Sequence, residues 1–74
     1  MPPANELYDY EIIVEGQLSE QWLDWFYYIS LQIEENQTRI FLSKVDLAAF
    51  YGVLIQLRNK NHVIIALKKL PGTA

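Results

Sequence analysis

The chain has no cysteine, a single histidine and only three glycines. The missing cysteine excludes disulfides, thiolate metal sites and thiol catalysis together. His62 alone cannot build a zinc site without several carboxylates around it, so no metal and no cofactor are expected. No apolar run approaches the ~20 residues of a membrane-spanning helix. Met1-Pro2-Pro3-Ala4 has neither the basic segment nor the apolar run of a secretory signal. The expectation is a cytoplasmic protein with no membrane partner. Glycine-rich phosphate loops, Ser/His/Asp sets and metal-ligand spacings are also missing, which leaves no catalytic residue to name.

Basic residues are absent from the first half. Residues 1–37 carry eight acids and no Lys or Arg, whereas residues 38–74 carry six bases and one acid, Asp46. Strands from the two halves lying side by side would pair these charges across a sheet. Six scattered bases in a chain of net charge −3 do not make a basic patch, so nucleic acid is not an expected partner.

Seventy-four residues form one domain with a small core. A chain this short buries only about 60% of the surface its unfolded form exposes. Disulfides and metals being excluded, association is the remaining way to add stability, and a homo-oligomer is expected.

The chain divides into a loose tail at 1–6, a single domain at 7–70 and a second tail at 71–74. Tyr8 to Glu15 alternates, with Tyr10, Ile12 and Val14 on one face and Glu11, Ile13 and Glu15 on the other, and Gly16 ends this strand. Ser19 is a helix N-cap, and Trp22, Trp25, Phe26 and Ile29 fall on one helical stripe, giving a short helix to about Tyr27. Two further alternating runs, around Ile29–Ile33 and from Thr38 to Lys44, read as a hairpin. A turn at Asn36-Gln37 would set Ile33 opposite Ile40, Leu31 opposite Leu42 and Glu34 opposite Arg39. Asp46 caps a longer helix, with Val45 and Phe50 as a hydrophobic staple, Leu47, Phe50, Leu54 and Leu57 as its apolar stripe, and Asn61 as a left-handed stop. Gly52 inside that helix points to a close backbone approach. Val63 to Leu67 is apolar on both faces and reads as a last strand covered on both sides.

The order β-α-β-β-α-β predicts an α+β ferredoxin-like sandwich, a four-stranded antiparallel sheet with two helices on one face. Gly16-x-Leu18-x3-Trp22-x2-Trp25-Phe26 and Asp46-x-Ala48-Ala49-x2-Gly52, continuing through Leu54, Leu57 and Arg58, resemble a family of small uncharacterised bacterial proteins. The resemblance spans roughly residues 10–70 and implies the fold without implying a reaction. Where such relatives carry a histidine after the glycine, this chain has Gln17. Where they carry a glycine after the long helix, it has Asn61.

Two candidate sites follow. Large rings dominate the energetics of cores and interfaces, and five of the seven residues Trp22 to Tyr28 are aromatic. Trp22, Trp25 and Tyr28 could line a ligand pocket between helix and sheet, as in a small dimeric ligand-binding regulator or an isomerase- or cyclase-like enzyme. The second site is the sheet face away from the helices. With Ile12, Leu31, Ile40 and Ile65 under the helices, that face carries Ile13, Tyr28, Phe41, Ile64 and Ala66, rimmed by Glu11, Glu15, Gln32, Arg39 and Lys68. An apolar centre with a charged rim suits a partner surface. The favoured reading is a non-enzymatic binding or assembly module that self-associates through this face, another protein being the alternative occupant. His62 reads as a turn residue. Glu34 and Glu35, adjacent on a strand, point to opposite faces and do not form an acid/base pair.

Overall fold

The computed structural model describes residues 6–19 and 29–70. Among them the chain forms β1 (Tyr8–Glu15), β2 (Ile29–Ile33), β3 (Gln37–Val45), one helix, α1 (Leu47–Asn59), and β4 (Ile64–Lys69). The architecture is α+β, with a four-stranded antiparallel sheet in the order β2-β3-β1-β4. The short helix expected from Ser19 to Tyr27 falls largely on residues outside those described.

The strand alternation builds the core directly. Pairing sets three rungs of side chains across the inner face: Ile29–Leu42–Tyr10–Lys69, Leu31–Ile40–Ile12–Leu67 and Ile33–Thr38–Val14–Ile64. Ile12, Val14, Ile40 and Leu42 are buried, as are Phe50, Val53 and Leu57 of α1, which close the core from above. The rings of Phe50 and Tyr10 stack with centroids 4.0 Å apart, seating the first turn of α1 on β1.

Helix α1 begins and ends as its sequence dictates. The Asp46 carboxylate accepts the Ala49 backbone N–H at 2.8 Å, and the staple residues Val45 and Phe50 are both buried. At the far end Asn61 has φ 62°. Its N–H donates to the Arg58 carbonyl and the N–H of His62 to that of Leu57, which is the Schellman arrangement with Asn in the left-handed position. Gly52 differs from expectation. Nothing among the described residues lies within 4 Å of where a Cβ would sit, so no close approach there explains the glycine.

Three other sequence readings are corrected. The hairpin pairs Ile33 with Thr38 and Leu31 with Ile40, two residues away from the expected register. Its turn is Glu35-Asn36, closed by the Glu34 N–H donating to the Gln37 carbonyl. Two extra contacts favour this register. Glu34 accepts from the Gln37 side chain at 2.8 Å, and the Asn36 carbonyl accepts from the Gly16 N–H. Asn36 is not left-handed, since Lys44 and Asn61 are the described non-glycine residues with positive φ. A shift of two preserves which face each residue occupies. Second, β4 is an edge strand, with Val63, Ile65 and Leu67 each more than half exposed, not a strand covered on both sides. Third, the β1–β4 register steps between Ile13 and Val14, where Ile65 is the extra residue. That bulge turns Ile64 to the inner face opposite Val14, whereas unbroken alternation would place it on the outer face.

A second bulge joins β1 and β3, where the register steps between Tyr8 and Tyr10. Lys44 there adopts φ 53°, and its N–H donates to the Asp9 carboxylate at 2.8 Å. A side chain in this region strains the backbone by about 1–2 kcal/mol. After the greater freedom of glycine in the unfolded chain is subtracted, Lys44→Gly should raise stability by up to about 1 kcal/mol, read as a higher midpoint in urea unfolding.

The loop leaving β1 is held by one buried hydroxyl. Thr38, fully buried, donates to the Gly16 carbonyl at 2.9 Å and accepts the Leu18 N–H at 3.0 Å. Gly16 itself sits at φ +82°, where a side chain would be strained. Thr38→Val keeps the shape and removes both bonds, stranding a buried donor and an acceptor. The expected loss is about 2–3 kcal/mol, measured against Thr38→Ser, which should retain most of the stability.

Candidate interaction surfaces

The outer face of the sheet is built from two rungs. One runs Ser30–Phe41–Glu11–Lys68 and the other Gln32–Arg39–Ile13–Ala66. Ile13, Phe41 and Ala66 therefore share this face as expected. Ile64 lies on the other face, and Tyr28 lies outside the described residues. The aromatic pocket proposed from Trp22, Trp25 and Tyr28 falls entirely on residues outside those described.

Glu11 occupies the middle of this face and not its rim. It stands on central β1, between Phe41 and Lys68 on the neighbouring strands, and only 7% of it is exposed. Burying a carboxylate is costly unless it is paired. Arg39 supplies the partner, its Nη1 lying 3.5 Å from Glu11 Oε2 while its Nε donates to Glu34 Oε2 at 3.2 Å. One guanidinium thus bridges β1 to the end of the β2–β3 hairpin. Acids of the first half and a base of the second meet across the sheet, as the charge asymmetry predicts. The apolar area left here is small, since Ile13 and Phe41 are partly covered and Ala66 is short.

The larger apolar exposure lies elsewhere. Leu47, Tyr51 and Ile55 of α1 are each about half exposed and stand four residues apart, so they form one stripe. Val63, Ile65 and Leu67, on and just before β4, are exposed to the same degree. The sequence pattern does show Leu47 and Tyr51 as part of a wide apolar stripe. Periodicity cannot say that Phe50 and Leu57 of it are buried and Leu54 half-buried while Leu47 and Tyr51 are left exposed, because that depends on where α1 lies across the strands.

The two lysines ending β4 stand on opposite faces of the sheet. The Lys69 ammonium lies over the Tyr8 ring, 3.6 Å from its centroid, and Lys68 stands opposite Glu11 on the outer face. The Tyr8 phenol is held above its ordinary range, chiefly by its hydrogen bond to Glu6.

Among the described residues these features define a small α+β domain with a four-stranded antiparallel sheet, an exposed edge strand and an apolar helix flank. No helix among the described residues is long and apolar enough to cross a membrane. The chain belongs to the family described as "Domain of unknown function (DUF8691)", whose model matches residues 9–68. No curated protein and no solved structure matches it.

The Arg39 bridge has a measurable consequence. Arg39→Met leaves Glu11 buried without its partner. A fully buried pair broken this way loses 3–5 kcal/mol; because Arg39 is partly exposed, about 1–2 kcal/mol is expected. The double variant Glu11→Leu/Arg39→Met removes the buried charge as well and should recover most of that loss in chemical denaturation.

Proposed function

We propose that this protein is a small non-enzymatic binding or assembly module of ferredoxin-like β-α-β-β-α-β architecture that self-associates in the cytoplasm. The strand order supports the architecture. β1 runs antiparallel to both β3 and β4, and β3 antiparallel to β2. Hence β3 and β4 run the same way with β1 between them, joined by α1, and β1 and β2 run the same way with β3 between them. The segment joining β1 to β2 takes the place of the second crossover, and the helical stripe of Trp22, Trp25 and Phe26 suits it.

One observation carries the self-association reading. In this 74-residue chain without cysteine, eight large hydrophobic side chains among the described residues are at least 40% exposed, Leu47, Tyr51, Ile65 and Leu67 among them. Single exposed hydrophobics are ordinary, but neighbouring ones on a strand and a helix flank form a patch of the kind that partners cover. Two surfaces could carry the contact: the outer sheet face with Ile13, Phe41 and Ala66, and the β4 side of the domain.

Sedimentation equilibrium or light scattering at micromolar concentration should give at least twice the 8.7 kDa chain mass. A single species at 8.7 kDa across that range overturns the proposal.

A further inference from the structure

We propose that two copies of this chain join through the free edge of β4, antiparallel about a two-fold axis near Leu67, with their α1 flanks packed together above the joint. This deepens the self-association reading and rests on it. It differs in assigning the contact to the β4 edge and not to the outer sheet face.

Three features of the edge support it. Among the described residues β4 pairs with β1 on one side only, so its other side presents backbone donors and acceptors without a strand partner there. The Leu70 N–H donates inward to the Asp9 carbonyl. By strand alternation Lys69 and Leu67 therefore direct their backbone groups outward. Proteins commonly guard such edges with lysines, and Lys68 and Lys69 invite that reading. Their geometry argues against it. The Lys69 ammonium is drawn back over the Tyr8 ring of its own protomer. Lys68 stands on the outer face opposite Glu11. The run Ile64-Ile65-Ala66-Leu67 ahead of them carries no charge at all.

The helix flank extends the same surface. The connection β3–α1–β4 crosses β1 to a strand running parallel to β3, and such crossovers are right-handed. With Phe50, Val53 and Leu57 turned to the sheet, a right-handed crossover leaves Leu47, Tyr51 and Ile55 on the β4 side, about a third of a turn round the helix. Leu67, at the end of its inner rung, lies on the same face of the sheet as α1 and remains 51% exposed. Strand edge, inner-face side chain and helix flank thus form one continuous apolar surface.

A second copy fits this surface better than an unrelated partner, on area and on charge. Six half-exposed large side chains offer on the order of 500 Å² per protomer, so a symmetric pair buries roughly 1,000 Å² before any backbone is counted, which meets the lower bound for a specific interface. A two-fold axis also lays the two α1 helices antiparallel. Arg58 lies three turns beyond Leu47 on the same flank, at the C-terminal end of the helix. It then comes beside the partner's N-terminal end, where the acidic cap stands, and the helix dipoles oppose. A two-fold contact closes on itself, so pairing through the β4 edge ends at a dimer.

The absence of native cysteine makes the test direct. Leu67→Cys and Ile13→Cys chains, one residue beside the proposed axis and one central on the outer face, are treated with a short bis-maleimide at micromolar protein. Rapid conversion of Leu67→Cys to covalent dimer, with Ile13→Cys at least tenfold slower, is the expected result. A parallel Tyr51→Glu/Leu67→Lys variant should sediment as monomer with an unchanged far-ultraviolet circular dichroism spectrum. If the wild-type chain is itself monomeric, the self-association reading fails and takes this proposal with it. If the wild-type chain is oligomeric but Ile13→Cys links in preference to Leu67→Cys, or neither links, edge pairing alone is overturned.

Discussion

The Thr38 hydroxyl is the contact on which the middle of this fold depends. It stands on a central strand, fully buried, and answers two backbone groups of the segment leaving β1. Without it, a carbonyl and an N–H at the core boundary would have neither water nor protein to meet. The tie fixes where the chain turns after Gly16, and Gly16 in turn donates to the hairpin carbonyl at Asn36. The start of the crossover and the tip of the β2–β3 hairpin are thereby held as one unit. Gln17 adds a third link, its side-chain amide donating to the Glu34 carbonyl at 3.0 Å.

Electrostatics on the outer face depends on the same hairpin tip. Glu34 receives both Gln37 and Arg39, and Arg39 passes the connection on to buried Glu11. A sheet face that would otherwise be plain solvent surface is organised around one buried carboxylate. This arrangement makes the centre of that face polar, which is why the exposed apolar area lies on the β4 side instead.

Much of the fold was legible in the sequence because it follows from local rules. Alternation identified β1 and β3, and capping chemistry placed both ends of the long helix at Asp46 and Asn61. The hairpin was recognised with its faces correct and its register off by two. The apolar pattern scores both registers almost equally, and what separates them is the set of hydrogen bonds to Gly16 and among Glu34, Gln37 and Arg39. The face of Ile64 was unreadable for a different reason. A bulge adds one residue without leaving a compositional mark when its neighbours Val63, Ile64 and Ile65 are all β-branched. The outer-face residues Ile13, Phe41 and Ala66 could be grouped from alternation alone. The position of Glu11 at their centre required the strand order. The exposure of Leu47, Tyr51 and Ile55 required the path of the helix across the sheet.

The bulge at Ile65 also bears on how the last strand finds its place. Without the bulge, the regular ladder would place Ile65 and not Ile64 at the inner position opposite Val14, one β-branched side chain for another. The two alignments at that end differ little in hydrophobic burial, so burial there does not choose between them. The choice falls to polar contacts at the strand ends, where Glu15 donates to the Val63 carbonyl and Leu70 to that of Asp9. These two bonds act as stops separated by one residue more than a regular ladder holds, and the chain satisfies both only by bulging. Strand β4 thus has two alignments alike in burial at that end, and the polar contacts at its two ends specify the bulged one.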